Sequence, residues 1–344
     1  IGERDGESPY LFSRVRSAVR VSDGRIVVLE GESLEIRVFG PDGAHHVSFG
    51  RRGDGPLEFE SWPNMALAPP DTLVVWDPGH GRLSWFDLEG SLLKQRSFLT
   101  TVAKLRALRG PFWSVRRDGS VLAISPVSGT TRDGLYDEVR RIGLIEDGGE
   151  TSHDFGIFPA GERFGHPIGL IFSSWFGPFV KGALGPPPNR VLLSAPEKWE
   201  IRFFSSEGLL RRILRAPVPR IPVTTEIRTA RSNDIEDIAL QAGLTSGEAA
   251  RIDAQMPVPD SLPAIEEMMW DQLDNLWVGR RTAELNKTEH FDVFDVTGRW
   301  LSTVHFPSDL GSIREIGEDY VLAVWWDELW VPYVRLYRLE KPGF

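Results

Sequence analysis

The sequence predicts an all-β fold, a six-bladed β-propeller formed as one domain over residues 1–344 with a helical insertion at 224–256. Three observations carry that expectation. A unit of turn residue, short β-rich run, polar break, second β-rich run and closing glycine recurs along the chain. The runs carry bulk on both faces, and helical periodicity is confined to one segment.

The clearest copies are DGRIVVLEGESLEIRVFGPDG from Asp23, DTLVVWDPGHGRLSWFDLEG from Asp71 and DNLWVGRRTAELNKTEHFDVFDVTG from Asp274. Looser copies begin at Asp118 (continuing from Asp137), Asn189 and Glu318. Closing glycines fall at Gly43, Gly90, Gly148, Gly208 and Gly298, while the sixth copy reaches the C-terminus without one. In RLSWFD, Leu83 and Trp85 share one strand face and Ser84 and Phe86 the other. A small sheet with two apolar faces must be sandwiched between neighbours, which radial repetition provides. Trp76, Trp85, Trp277, Trp325 and Trp326 sit in such runs and read as packing between sheets.

Between Gly208 and Gly298 the stretch Thr224–Pro257 turns to Ala, Ile, Glu and Arg. Thr245 and Glu248 have capping-box spacing, and Gly243 stops a preceding helix around 235–241. Flanking prolines mark an excursion peripheral to the fold, between the fourth and fifth blades. The last repeat is one strand short, and Tyr10–Arg16 is a spare β run, so pairing of these two is expected to close the ring.

The stretch FGRRGDGPLEFESWPNMALAPPDTLVVWD, Phe49–Asp77, poses a choice between an anion-binding loop and a connector. Phosphate loops lead into a helix N-terminus, but Trp62-Pro63 and a β run follow here, and no G-K-[ST] ending is present. The connector reading prevails, with glycines taking a sharp path between blades and Glu58 accepting backbone hydrogen bonds. The pattern Phe49-Gly50, Gly53 to Pro56, Glu58-Phe59, Pro63, Val74 to Asp77, Arg82-Leu83, Phe86-Asp87 and Gly90 resembles the NHL repeat of six-bladed propellers. The match is good over this repeat and partial over the others. The resemblance implies a fold and leaves function open.

Composition excludes several chemistries. A formal charge of −10 opposes sequence-independent binding to nucleic acid or anionic lipid. The absence of cysteine removes disulfides, thiolate metal sites and cysteine nucleophiles. No apolar run is long enough for a transmembrane helix, and the start at Ile1-Gly2-Glu3 suggests an exported protein whose signal has been removed. The seven histidines form no H-x-x-x-H pattern, and no G-x-S-x-G elbow occurs.

Two regions remain as candidate sites. Inner strands offer Asn64, Glu266, Glu267, Arg314 and Glu315 to a central channel, with Arg20 reaching the same space. An internal ion-pair network is the plainest arrangement. Ligand binding is a second, and an axial calcium or magnesium ion on oxygen donors a third, as in the related six-bladed gluconolactonases. The stretch Glu162–Asn189 is too long for an ordinary connection and concentrates Phe164, His166, Phe172, Trp175, Phe176 and Phe179. It reads either as an exposed binding element or as a plug in the channel.

The expected function is a non-catalytic binding or assembly module presenting this face to a protein or small ligand. Phe164, His166, Trp175, Phe176, Phe179, Glu267 and Arg314 are the candidate contacts, with no required cofactor. The alternatives are a metal-dependent lactonase-like hydrolase at the channel and a structural subunit of a surface assembly, with a homo-oligomer also open.

Overall fold

The computed structural model describes residues 1–60, 62–98, 112–127, 133–146, 152–173, 179–195, 198–282 and 290–340. Among these, strands form seven antiparallel or paired units, six of them larger sheets. The first sheet holds β1 (Val15–Arg20), β2 (Ile26–Glu30), β3 (Ile36–Phe39) and β4 (His45–Phe49). A two-residue parallel ribbon, β5 (Arg51–Arg52) with β6 (Glu58–Phe59), leads to the second sheet: β7 (Asn64–Ala68), β8 (Thr72–Asp77), β9 (Arg82–Phe86) and β10 (Leu92–Ser97). The third sheet has five strands: β11 (Phe112–Val115), β12 (Val121–Pro126), β13 (Gly134–Ile145), β14 (Ser152–Gly165) and β15 (Ile171–Ser173).

The fourth sheet holds β16 (Gly182–Leu184), β17 (Val191–Ser194), β18 (Glu200–Phe204) and β19 (Leu210–Arg215). Helices α1 (Thr225–Gln241) and α2 (Ser246–Gln255) precede the fifth sheet: β20 (Ile265–Trp270), β21 (Leu276–Arg280), β22 (His290–Phe294) and β23 (Trp300–His305). The sixth holds β24 (Ser312–Ile316), β25 (Tyr320–Trp326) and β26 (Pro332–Arg338).

Alternation along the second strand of each sheet explains how the sheets meet. Val27 and Leu29 pack toward Leu73 and Val75 of the second sheet, while Ile26 and Val28 pack toward Leu322 and Val324 of the sixth. Val74 and Trp76 turn to Val121 and Ala123, and Leu122 turns to Val191 and Leu193. Leu192 meets Leu276 and Val278, and Trp277 meets Val321 and Ala323. Each sheet is therefore buried on both faces, and the first strands β1, β7, β11, β16 and β20 lie side by side, with β24 returning to β1. Gly182 permits the approach of β16 to β12, because a Cβ there would lie 2.9 Å from the Ile124 side chain.

The ends of the chain meet differently from the expectation. Val15–Arg20 is the innermost strand of the first sheet, paired with β2, so Tyr10–Arg16 is no spare strand for the sixth. Instead Ile1 pairs with β26: its amino group donates to the Val334 carbonyl at 2.8 Å, and the Val334 N–H donates to the Ile1 carbonyl at 2.8 Å. The three strands of the sixth sheet already present apolar residues to both neighbours, so closure needs face packing and only one added residue at the edge.

The helices carry their expected signals. Thr245 and Glu248 form the capping box, and Gly243 sits at φ +82° after α1, which begins at Thr225 behind a Thr224 cap. They are not peripheral, however. Ile235, Ala239, Ala249, Ile252 and Met256 form a core with Phe164 and Phe172 of the third sheet, whose long strands reach over to the helices. Part of Glu162–Asn189 is accordingly strand, since β14 runs to Gly165 and pairs with β15.

The connector reading of Phe49–Asp77 holds. Gly50 has φ +84°, Glu58 accepts the Gly55 N–H at 2.8 Å, and Phe59 is buried between the first two sheets. His80 bridges the Asp77 carboxylate at 2.6 Å and that of Asp54 at 3.0 Å. Burial disfavours the imidazolium, but the two carboxylate hydrogen bonds outweigh it and raise the His80 pKa.

Two outcomes are expected. Phe164→Ala should cost about 3 kcal/mol in chemical denaturation, by the cavity it leaves beneath α1 and α2. Because the folded pKa of His80 is raised, its contribution is full below the ordinary imidazole pKa and is lost as pH rises through the folded value. The melting-temperature deficit of His80→Gln should therefore shrink from pH 5.5 to pH 9, and a constant deficit would refute the bridge.

Candidate functional site

The innermost strands run the same way along one axis, because their carboxyl ends together line a single cavity of about 730 Å³. Arg20 comes from β1, Ala66 from β7, Val115 from β11, Ala183 from β16, Met268 from β20 and Glu315 from β24. Small residues on β7 and β16 leave the space open.

Glu315 is the centre of the polar wall. Its Oε2 accepts the Arg20 backbone N–H at 2.7 Å and the Tyr320 hydroxyl at 2.9 Å, and its Oε1 accepts the Gln272 amide at 3.2 Å. Gln272 also donates to the Tyr320 oxygen at 2.7 Å, and the Arg20 guanidinium lies 4.8 Å from the Tyr320 ring centre. Burial pushes the Glu315 carboxyl up despite these donors. Burial, then the neighbouring carboxylate, pushes the Tyr320 hydroxyl up. Two donors on the same wall, Arg20 Nε and the Trp270 indole nitrogen, are buried without a hydrogen-bond partner. An unmade hydrogen bond at a buried donor costs about 1–3 kcal/mol.

A second cavity, of about 420 Å³, opens at the amino ends of the same strands, among Arg14, Arg16, Asn64, Arg314 and Trp326. Arg314 lines both cavities.

No family model matches this chain, and no curated protein does. Solved structures do match it. A candidate exported protein from Bacteroides fragilis is 14% identical, with a TM-score of 0.46 over 94% of this chain and 82% of that one. Virginiamycin B lyase from Staphylococcus aureus is 11% identical, with a TM-score of 0.39 over 96% and 87%. A gluconolactonase from Xanthomonas campestris is 12% identical, with a TM-score of 0.39 over 95% and 88%. These neighbours are β-propeller proteins, and at such identities the likeness concerns fold alone.

The residues singled out in the sequence fall in two places. Arg314 lies on the axis, and Glu267 acts electrostatically on it from β20. Glu266 pairs with Arg281 and lies 3.8 Å from Lys181. Phe164 is 7% exposed and serves the helix interface. His166 opens the tight turn before β15, its N–H donating to the Leu170 carbonyl at 2.8 Å, and Phe179 lies 5.7 Å from the Arg163 guanidinium. Trp175 and Phe176 lie outside the described residues.

Among the described residues, no three carboxylate or imidazole side chains converge as a metal site. The axial set mixes arginines with a Glu315 already occupied by protein donors, which does not fit a hard divalent cation. Gln272, Tyr320 and Trp270 were not apparent from sequence. Gln272 sits in a turn and Tyr320 at a strand start, and neither position carries a motif. No helix of the described residues is long and apolar enough to cross a membrane.

Glu315 has a raised folded pKa, so its favourable contribution is full below the ordinary carboxyl pKa and is lost as pH rises through the folded value. Arg20, Asp319 and Tyr320 are the other ionisable groups around it. Glu315→Gln removes the buried charge and keeps an acceptor for Arg20 and Tyr320. Its melting temperature relative to the parent should rise with pH above 4.5, as read by differential scanning calorimetry. A pH-independent deficit would refute the protonation argument.

Proposed function

We propose that this chain is a six-bladed β-propeller of the NHL-repeat kind, with α1 and α2 inserted between its fourth and fifth blades, acting as a non-catalytic module that binds a small ligand. The ligand occupies the axial cavity at the carboxyl ends of the inner strands. The observation that carries the reading is the cavity of about 730 Å³, whose lining includes Arg20 and Trp270, each with a buried nitrogen that has no hydrogen-bond partner in the protein. Pockets of that size with convergent polar groups are a common setting for a small ligand. Met268, Met269 and Trp270 supply the apolar part here. Arg116, Arg117, Asp271, Asp274 and Asp319 also line the cavity, so the complementary ligand is polar and rich in hydrogen-bonding groups.

One observation favours the hydrolase alternative: a carboxyl with a raised pKa lines the same cavity. Both of its oxygens are held by protein donors joining three sheets, which suits a structural tie better than a proton shuttle.

Sugars, sugar lactones and cyclic esters form the test panel, with binding read by thermal shift and ligand integrity by proton NMR. The expected result is saturable binding of at least one member, recovered intact. Trp270→Phe should weaken it about tenfold, the equivalent of one hydrogen bond. Absence of any hit sensitive to Trp270 would sink the binding reading. Conversion of the ligand, abolished in Glu315→Gln, would install the hydrolase.

A further inference from the structure

The amino ends of the innermost strands gather positive charge in a protein whose formal charge is −10. Arg14 and Arg16 both stand over the Trp62 ring, with their guanidinium carbons 5.5 and 4.7 Å from its centre. Arg314 enters from β24, its Nη1 donating to Ser312 Oγ at 2.5 Å and its Nη2 to the Val15 carbonyl at 3.4 Å. All three line the cavity of about 420 Å³ together with Asn64 and Trp326.

Backbone irregularities at this end place those side chains. In the pairing of β1 with β2 the register shifts between Val15 and Ser17, and Arg16 is the extra residue. In the pairing of β24 with β25 it shifts between Ile313 and Glu315, and Arg314 is the extra residue. A bulge re-aims a side chain that regular pairing would send elsewhere, and such bulges concentrate beside binding sites. Trp62 adopts φ +54°, a conformation a bulky residue holds only where its surroundings impose it, and Asn64 donates to its carbonyl at 3.1 Å.

The charge there is under-compensated. Glu267 is the carboxylate that acts on Arg314. Glu30, beside Arg14 in the fold, spends its oxygens on the backbone N–H groups of Ser13, Arg14, Glu32 and Ser33. Arg16 Nε and Arg314 Nε are both buried without a hydrogen-bond partner. Burial, and then the approach of Arg14, lowers the pKa of Arg16; burial, partly offset by Glu267, lowers that of Arg314. Guanidinium groups stay charged in proteins, so the folded state carries a cost that a bound anion offsets.

The geometry points to an oxyanion-binding site at this end of the axis: a small organic anion whose carboxylate or phosphate is held by Arg14, Arg16 and Arg314 while its body lies against Trp326. Arginine suits this role because its planar donors pair bidentately with such groups. The site lies at the opposite end of the axis from the cavity at the carboxyl ends and shares only Arg314 with it, so a change at Arg16 tests it apart from the function proposed there.

The test uses the whole chain and two probes, inorganic phosphate followed by ³¹P line broadening and malonate followed by thermal shift, each against chloride at equal ionic strength. A saturable response to at least one probe is expected, and the stronger response assigns the ligand to phosphates or carboxylates. Arg16→Gln should weaken it at least tenfold. Arg338→Gln, which removes the same charge from the exposed outer strand, should leave it unchanged. Should Arg16→Gln fail to fold, Arg14→Gln on an exposed side chain provides the comparison. A response matched by chloride, or weakened equally by Arg16→Gln and Arg338→Gln, would overturn the proposal.

Discussion

The contact between the sixth sheet and the first is the constraint on which the rest of the molecule depends. Among the described residues, the other face-to-face sheet packings join sheets that follow one another along the chain, whereas this one brings together residues about three hundred positions apart. Without it, one face of each terminal sheet would expose Ile26, Val28, Leu322 and Val324 to water. Loop closure over that distance costs entropy, which the junction offsets with a dense apolar cluster in which Phe12 and Phe39 pack edge to face. The Ile1–Val334 hydrogen bonds and the Arg4–Asp327 ion pair add to it at the rim, and Glu315 adds to it near the axis.

Closure also determines what the axis can be. Six strands pointing one way give the two ends of the central space different chemistry, because residues near the start of each strand meet at one end and residues near its finish meet at the other. Near the finish, Glu315, Tyr320 and Gln272 make a hydrogen-bonded wall. Near the start, three arginines face two aromatic rings.

Much of the fold was legible because it rests on local signals. The glycines at 43, 90, 208 and 298 close tight turns with positive φ, and each was readable as a repeat boundary. The capping box at Thr245 and the Glu58 turn are short-range chemistry between residues three apart. What escaped depends on contacts that spacing does not encode. The aromatic stretch from Glu162 looked like a loop because glycine and proline interrupt it, yet its first residues end β14, which pairs with β13 and β15. Phe164 and Phe172 then meet a helix surface more than sixty residues on, so rings that resembled binding anchors are core. Similarly, Arg314 and Glu267 were readable as inner-strand residues, but Arg14 and Arg16 gain their meaning from a bulge and from Trp62, neither of which has a sequence signature.

The distribution of arginine argues for the axis over the rim as the place where this molecule meets small ligands. Outer strands carry Lys94 and Arg96 on β10, and Arg211, Arg212 and Arg215 on β19, all at sheet edges whose free backbone groups would otherwise recruit another chain. Charge at an exposed edge is a common protection against such pairing and needs no ligand to explain it. Arg14 just precedes β1, and Arg16 and Arg314 lie on β1 and β24, inner edge strands that contact each other around the axis, away from the outer rim. Where burial and mutual repulsion both oppose a cluster of guanidinium groups, and edge protection does not account for it, recognition of an anion is the explanation that physical chemistry leaves in hand.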